Sequence, residues 1–452
     1  MTALRFDREG ARLLEGARAA GAEEAEAFFH HGVELTVKVH DAEVEQLTAA
    51  EARGVGLRVF GDARMGFAYT SDLSDDGLGR VVTMAVEACR YNGPDPSVGL
   101  PDIAPDGAIE GLEAADFEAR DLEARVAMAL ELERLAAGHH PDVRRVDTAV
   151  YGDERGHTEL HTTRGVAAAY AATVAYAYVV PLAERGEEMQ SGWSLAVGRS
   201  APQIDLAAVA TEGAERAAAL LGARQLPSRT TAVVIEPWAA AALMGTLASS
   251  ISAEAVQKGR SLLAGRLEEV VASPVLTLVD DGRLLEGLAS RPWDDEGVPT
   301  QRTPVIESGV LRAYLHNSYT ARRDGSARST GNAARGSYRS TPELAPSNLV
   351  VLPGTRTKAE LLAAMGEGIL ITEVHGLHTV NPVTGEFSLG INGFLVEAGE
   401  PTVPVREMTV AGDLLGLLTR VADVGSDLRF TIGSGFLGAP SLLVSDVAVS
   451  GA

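Results

Sequence analysis

Two spacings of apolar residues alternate along the first 90 residues of the chain. The apolar residues at alternate positions from Val33 to Val39 share one face, as in a strand. Asp72 and Ser74 stand where a helix should begin. From the N-terminus, the pattern predicts a surface helix over 7–21, strand segments over 24–32 and 33–47, a hairpin over 53–70 around Gly61 and Asp62, and a helix over 77–90.

The next segment begins with a loop and continues as a strand meander between two helices. Residues 92–116 are rich in Pro, Gly and Asp, which predicts a long surface connection. Tyr and Val residues occupy even positions between Tyr170 and Val180, so they share one face of a strand. The predicted elements are helices over 117–137 and 203–222 and strands over 143–151, 157–180 and 189–198.

A domain boundary is predicted at Gly222–Arg229, where a helix ends and Pro-Ser precedes a new strand. Many short apolar runs broken by Gly and Pro follow, a pattern typical of a mostly antiparallel β domain. The chain is therefore predicted to be an α+β protein with domains 1–222 and 223–452. The second half is expected to contain a helix over 237–265 and strands over 275–280, 303–316, 348–352, 369–375, 387–397, 401–410 and 441–449.

The composition limits which kinds of molecule the protein is expected to bind. The 452 residues include 39 Lys+Arg and 62 Asp+Glu, a formal charge of 39 − 62 = −23. Such a surface repels phosphate backbones and anionic lipid, so neither nucleic acid nor a membrane is an expected partner. The single cysteine, Cys89, excludes an intramolecular disulfide and a cysteine-based zinc site. The N-terminus carries charges throughout and does not resemble a signal peptide, so a cytoplasmic location is expected.

Two pairs of histidines have the spacing of metal ligands, but neither matches a known pattern. His157 and His161 lie four residues apart in a strand-like segment, and Thr158 stands where a metallopeptidase helix would carry Glu, so a structural role is favoured. His375 and His378 lie in a loop after an apolar strand. Zinc sites have three or four ligands, which favours loop stabilisation or peptide contact over metal binding there.

Three consecutive carboxylates, Asp294, Asp295 and Glu296, precede Gly297. Adjacent residues cannot all face one point, so the run is not an acid–base pair by spacing. Asp294 or Asp295 is expected to cap a turn that ends at Gly297. Ser434 has glycine neighbours but lacks the context of a catalytic serine. The residues alone predict an α+β protein with two domains and leave its site open.

Several long stretches, in order along nearly the whole chain, resemble the TldD/PmbA family. They are EAEAFFHHGVELTVKVHDAEVEQL, RGVGLRVFGDARMGFAYTSDLS, RPWDDEGVPTQRTPVIESGVLRAYLHNSYTARR, STGNAAR, GLHTVNPVTGEFSLGINGFLVEAGEPTVPVREMTVAGDL and APSLLVSDVAVSGA. The resemblance implies an N-terminal α/β domain with a mixed sheet and a C-terminal domain built on a strongly bent antiparallel sheet with flanking helices. It also implies a zinc metallopeptidase that acts on peptides and unfolded segments. The family implies an enzyme of two different subunits. A TldD-like subunit carries zinc on a helical HExxxH motif with a later Cys, and a TldE/PmbA-like subunit carries neither.

This sequence departs from that zinc motif. Met244, Gly245 and Ser249 match the positions of His, Glu and His, no His occurs from 162 to 315, and the Cys position falls near Gly433–Gly435. Zinc hydrolysis needs about three protein ligands and a base. The resemblance therefore implies a TldE/PmbA-like subunit without a cofactor of its own, with zinc on its TldD-like partner.

Such a subunit is expected to complete a chamber around the partner's zinc and to admit extended peptides. The residues predicted to line that chamber are Asp295, Glu296, His378, Asn381, Thr384, Glu386 and Ser388. Their alternative role is turn and loop scaffolding. Two other functions stay open: a stand-alone homodimer that binds peptides or a small molecule, and an enzyme repurposed for natural-product tailoring through His375, His378 and nearby carboxylates.

Overall fold

The computed structural model describes residues 4–102, 105, 107–117, 119–325, 328–433 and 435–451. Its helices are α1 Asp7–Ala19, α2 Asp75–Tyr91, α3 Leu122–His139, α4 Leu206–Ala219, α5 Pro237–Gly245, α6 Ala253–Gln257, α7 Ser318–Asp324, α8 Lys358–Met365 and α9 Leu414–Thr419. Within these residues, no helix combines the length and the apolar character needed to cross a membrane. The cytoplasmic location stays a prediction.

Among the described residues, strands outnumber helices in both halves of the chain. Those of the first half are β1 Glu24–His40, β2 Glu43–Gly61, β3 Arg64–Thr70, β4 Val143–Thr162, β5 Ala167–Arg185, β6 Glu188–Ser191 and β7 Ser194–Gly198. Those of the second half are β8 Arg229–Ile235, β9 Leu278–Asp281, β10 Arg302–Glu307, β11 Val310–Leu311, β12 Ala333–Ala334, β13 Glu343–Leu344, β14 Asn348–Val351, β15 Gly368–His375, β16 Glu386–Glu397, β17 Glu400–Asp413, β18 Val421–Val424, β19 Arg429–Gly433, β20 Gly435–Ala439 and β21 Leu442–Ser450.

The first half forms one antiparallel sheet in the order β3-β2-β1-β4-β5-β6, with β7 also paired to β5. Residues at odd positions of β1, β4 and β5, such as Val37, Tyr151 and Ala177, pack under α3 and α4. Phe29 of β1 packs in the same way under α1 and α2. All four helices therefore cover one face, and the other face is free to meet the second half of the chain.

The second half contains two six-stranded sheets, β11-β10-β9-β14-β20-β19 and β17-β16-β15-β8-β21-β18. A shared apolar core, which includes Met244, Leu247, Leu278 and Val444, lies between them and α5. Most strand pairs are antiparallel, and the pairs β14–β20 and β8–β15 are parallel. The predicted α+β class is confirmed. The sheet of the first half is antiparallel rather than mixed as expected, because its strands follow one another through hairpins or pair with antiparallel neighbours, and the described parallel pairs lie in the second half.

Several predicted boundaries differ from the structure. α3 begins at Leu122 rather than 117, because Asp121 accepts a hydrogen bond from Ala124 N–H and so caps the helix. β4 continues through 152–156 to Thr162, and the hairpin turn to β5 lies at 163–166. The even positions of β5 do share a face, but it is the half-buried one, and the fully buried face carries Ala171, Ala175 and Ala177.

The predicted helix over 237–265 is wrong as one continuous element. Pro237 starts α5 at a position where its missing N–H costs nothing. α5 ends at Gly245, where the Thr246 hydroxyl donates to the Leu243 carbonyl at 2.6 Å and competes with the helical backbone. Ser252 then caps the short helix α6. The residues between α5 and α6 form turns, and these turns shape the candidate site.

Candidate functional site

A cavity of about 1060 Å³ lies in the second half of the chain, between α5, α6, the loop after β15 and the β19–β20 hairpin. The described residues that line it are mostly small or apolar. They are Ala242, Gly245, Thr246, Ala248, Ser249, Ser252, Glu254, Ala255, Lys258, Arg260, Leu344, Ala345, Pro346, Leu377, His378, Val380, Pro382, Thr431 and Leu437. We call it the α5 cavity. Its volume is large for a small-molecule pocket and sufficient for several residues of an extended peptide.

The wall formed by α5 depends on a glycine. A Cβ atom placed on Gly245 would lie 2.6 Å from Leu437 Cδ1 of β20, which is too close for a carbon–carbon contact. Gly245 therefore allows the end of α5 to approach the β19–β20 hairpin. The turn after α5 is also tied to the opposite wall, because the Ser250 hydroxyl donates to the Pro382 carbonyl at 3.3 Å.

Charged and titratable side chains line part of the α5 cavity. Lys258 forms an ion pair with Glu254 across one turn of α6. Arg260 is exposed, and His378 stands in a single 3-10 turn, Leu377–Thr379, after β15. The cavity therefore combines an apolar floor with a few polar groups, the usual composition of a binding site.

The residues that the sequence analysis predicts at the zinc positions do not fit a zinc ion. Met244 is 1% exposed and packs in the core, Gly245 has no side chain, and Ser249 offers a hydroxyl. Zinc prefers thiolate, imidazole and carboxylate ligands. Within the described residues, no group of three or more His, Cys, Asp or Glu side chains could hold a metal. Ser434, within the predicted Cys segment, lies outside the described residues.

Asp295 and Glu296 lie away from the α5 cavity, in a buried network between the two halves of the chain. Arg58 of β2 donates from Nη1 to Glu296 at 3.1 Å and from Nη2 to Glu26 of β1 at 2.6 Å. Ser318 N–H at the start of α7 donates to Glu296 at 2.9 Å. Asp295 accepts hydrogen bonds from the Arg291 side chain at 2.9 Å and from Arg335 N–H at 2.6 Å.

Burial in this network raises the pKa of Glu26, but Arg58 and Arg335 outweigh that effect and hold it below its usual range. The neighbouring Asp294 caps the turn predicted from the sequence. Its carboxylate accepts from Glu296 N–H and Val298 N–H at 3.0 Å each, and Gly297 adopts a positive φ of 86°. The three consecutive carboxylates thus have separate partners, as their spacing requires.

The remaining predicted site residues lie in or beside the loop between β15 and β16. The Asn381 side chain accepts from Val383 N–H at 2.9 Å and Thr384 N–H at 3.1 Å, and the Thr384 hydroxyl donates to Glu386 at 3.1 Å. Ser388 is exposed on β16. Among the seven predicted residues, His378 alone lines the α5 cavity. Hydrogen bonds of Asn381, Thr384 and Glu386 stabilise the loop that contains His378. A substrate role for these residues stays a prediction.

The other two histidine motifs also have defined surroundings. His157 and His161 lie on one face of β4 and flank Glu159, with Nε2–oxygen distances of 3.3 and 2.5 Å. His375 lies at the end of β15, where its Nε2 is 3.1 Å from Asn392 Nδ2 and 3.6 Å from Glu373. A hydrogen bond to Glu373 raises the pKa of His375 above its usual value.

Sequence reasoning did not single out Arg260 or the turn residues Thr246 and Ser252, and it named Ser249 only as a residue at a predicted zinc position. Small and uncharged residues carry no chemical signature, and the continuous helix predicted for 237–265 hid the turns that expose them. The Ser-Ser-Ile-Ser segment at 249–252 was the available signal, because serines favour caps and turns over helix interiors.

Comparison with family models covers most of the chain. Models described as PmbA/TldA metallopeptidase domain 1, central domain and C-terminal domain match residues 25–89, 115–221 and 228–451. The predicted two-domain division at 222/223 stays a prediction.

Individual relatives match most or about half of the chain. The chain is 29% identical to the metalloprotease PmbA of Escherichia coli O157:H7, over 87% of this chain and 86% of that protein. It is 28% identical to a PmbA homologue of Haemophilus influenzae over 92% and 90% of the two chains. It also matches a TldD homologue of Buchnera aphidicola at 29% identity over 53% of this chain and 52% of that protein.

Solved structures with a similar fold cover nearly the whole chain. A crystal structure of a protein from Thermotoga maritima is 29% identical, covers 98% of this chain and all of its own, and has a TM-score of 0.90. TldE from Thermococcus kodakarensis shares the fold with a TM-score of 0.91, at 21% identity over 98% of this chain and all of its own. With three matching domain models and full-length relatives, the chain belongs to the PmbA/TldD family of metallopeptidases.

Proposed function

We propose that this chain is the non-catalytic subunit of a heteromeric zinc peptidase whose TldD-like partner carries the HExxxH helix. The observation that carries the proposal is the α5 cavity, which Gly245 and Ser249 line. In this proposal they stand at two of the motif positions, and they supply neither a metal ligand nor a base. Hydrolysis by zinc needs about three ligands and an activated water. We therefore derive no hydrolytic step on this chain and assign the zinc chemistry to the partner.

The substrate that fits the α5 cavity is an extended peptide. β19 is an edge strand of its sheet, and Thr431 of β19 lines the cavity. An extended chain can pair with the backbone of an edge strand without regard to its side chains. A folded protein presents few free backbone groups, so such a cavity selects peptides and unfolded segments.

We assign contact with the substrate to His378, which faces the α5 cavity from the loop after β15. Asn381, Thr384 and Glu386 hold this loop through their own hydrogen bonds. Glu296 joins the two halves of the chain through Arg58, and Asp295 is held by Arg291 and Arg335 of the second half. In this proposal they support the cavity from a distance.

Cleavage of an unstructured peptide tests the proposal. The chain alone, a TldD-like chain with an HExxxH motif from the same source, and the two co-expressed chains are compared at equal concentration. We expect no cleavage by this chain alone and at least tenfold faster cleavage by the pair than by the partner alone. Cleavage by this chain alone, or a partner whose activity is unchanged by this chain, contradicts the proposal.

A further inference from the structure

A second cavity of about 430 Å³ lies on the sheet face opposite the four N-terminal helices, where the loop 335–338 of the second half covers it. Its described lining includes Glu34 of β1, Glu154 of β4, His30, Tyr170, Arg291 and Asp295. We call it the sheet cavity. None of its lining residues lines the α5 cavity.

A pair of glycines forms the depression in the sheet. Gly32 of β1 and Gly156 of β4 are direct neighbours across the two strands. The His30 ring lies over them, since a Cβ on Gly32 would lie 2.9 Å from His30 Nε2 and a Cβ on Gly156 would lie 3.4 Å from His30 Cε1. Side chains at either glycine would therefore fill the space under the ring.

Two carboxylates stand directly opposite each other beside this depression. Glu34 pairs with Glu154 across β1 and β4, so their side chains project from the same face of the sheet. Both residues are exposed, and within the described part of the chain no hydrogen bond or ion pair joins either side chain to another residue. Like charges directly opposite in a sheet are destabilising, and no cationic side chain among the described residues pairs with either carboxylate.

The basic residues of the sheet cavity already have partners. Arg291 pairs with Asp295, and Arg335 pairs with Glu26. The uncompensated charges are therefore those of Glu34 and Glu154. Desolvation and then the facing Glu34 raise the pKa of Glu154, and burial lowers the pKa of His30, which favours a neutral imidazole.

We propose that the sheet cavity binds a primary ammonium group, from a lysine side chain or the amino terminus of a peptide, between Glu34, Glu154 and His30. An ammonium has three N–H donors and no acceptor. The two carboxylates accept two of them. His30 Nδ1 lies 3.5 Å from Thr158 Oγ1. With the proton on Nδ1, directed at that hydroxyl, Nε2 is the third acceptor.

Binding of three small probes to the full-length chain tests this proposal, by calorimetry at low ionic strength and pH 7.5. N-acetyl-lysine N-methylamide carries a side-chain ammonium, norleucine N-methylamide carries a terminal one, and N-acetyl-norleucine N-methylamide carries none. We expect one or both ammonium probes to bind and the neutral probe not to bind. The stronger of the two identifies the source of the ammonium, and added salt weakens it.

The variants Glu34→Gln and Glu154→Gln identify the site. Each is expected to weaken binding of the ammonium probe at least about tenfold, the size of a hydrogen bond to a charged group. Both should fold, because each removes the repulsion between the two carboxylates, and a melting temperature no lower than that of the wild type checks this. Glu43→Gln, an exposed position of β2 outside the cavity, is the matched control and should leave binding unchanged.

Three results would overturn the proposal. One is equal binding of the charged and neutral probes. Another is probe binding that persists in the Glu34 and Glu154 variants. The third is Ca²⁺ that binds alone, depends on both glutamates and displaces the probe at equal concentration, since this would identify a metal site. The test needs no partner subunit and is independent of the proposed peptidase role.

Discussion

At the scale of single residues, the most consequential group is the Arg58 guanidinium. It is 4% exposed and lies between the carboxylates of Glu26 and Glu296, one from each half of the chain. Burial lowers the pKa of Arg58, but the two carboxylates more than reverse that effect and raise it. A buried ion pair contributes little over an apolar contact, but loss of one partner leaves a charge without compensation.

Glu296→Ala should therefore lower the free energy of unfolding by about 3 kcal/mol, the usual cost of breaking a buried pair. Urea denaturation followed by circular dichroism measures this change. Glu131→Ala is the control, because it removes an exposed partner of Arg134 and should cost much less. Equal losses in the two variants would show that the Arg58 network does not hold the halves together.

Glu159 gives the chain an acid-sensitive contact at its N-terminal helix. Burial raises the pKa of Glu159, but hydrogen bonds from His157, His161 and Arg5 N–H lower it to about 2. Its carboxylate also accepts from Phe6 N–H at 3.1 Å, and so fixes the residues before α1. Since the pKa is lower in the folded state, the ionised carboxylate stabilises the fold above about pH 4.5, and this contribution is lost as the pH falls toward 2.

The Glu159→Gln variant should be less stable than the wild type at pH 6, and the difference should shrink as the pH is lowered from 4.5 to 3. Thermal melts at a series of pH values measure it. Asp76→Asn, at an exposed position of α2, should parallel the wild type throughout. A constant difference between Glu159→Gln and wild type over this range would contradict the assigned role.

At the scale of elements, periodicity predicted which segments are strands better than where they turn. The 157–180 prediction failed at its start because residues 152–156 of β4 contain two glycines and three charged residues, a composition typical of a turn, whereas the actual turn at 163–166 carries a single glycine. The α5–α6 segment failed for a different reason. Its alanines and leucines favour a helix, but packing of Gly245 against Leu437 and the side chains of Thr246 and Ser252 end it early.

The turn after α5 provides a test of the α5 cavity. Ser249 is exposed within it, so Ser249→Trp should fill part of the cavity without disturbing the core. In the co-expressed pair, we expect peptide cleavage to fall at least fivefold while the melting temperature stays within about 2 °C, as for surface substitutions. Met84→Trp, at an exposed position of α2, is the matched control. Full activity in the Ser249 variant would show that substrate does not pass through this cavity.

At the scale of the whole molecule, the α+β class and most of the long strands followed from the sequence, but the site did not. His378 was predicted as a chamber residue and lines the α5 cavity, whereas Asp295 and Glu296 face the interface between the halves. Long-range pairing decides this difference, since Arg58 and Glu296 are 238 residues apart. A single sequence carries no record of which distant charges meet.

The facing glutamates of the sheet cavity are another contact that a single sequence does not reveal. Glu34 and Glu154 are 120 positions apart in numbering and meet only because β1 pairs with β4 in one register. Their separation in sequence conceals a site that the sheet assembles.

The zinc content of purified protein tests the central claim most directly. Native mass spectrometry of this chain alone and of its complex with a TldD-like chain, both purified from zinc-supplemented cultures, gives the number of ions per chain. The account predicts no stoichiometric zinc on the single chain and one zinc per heteromeric pair. One zinc retained by the single chain, at a mass that matches a specific complex, would show that it holds its own catalytic metal and would contradict the account.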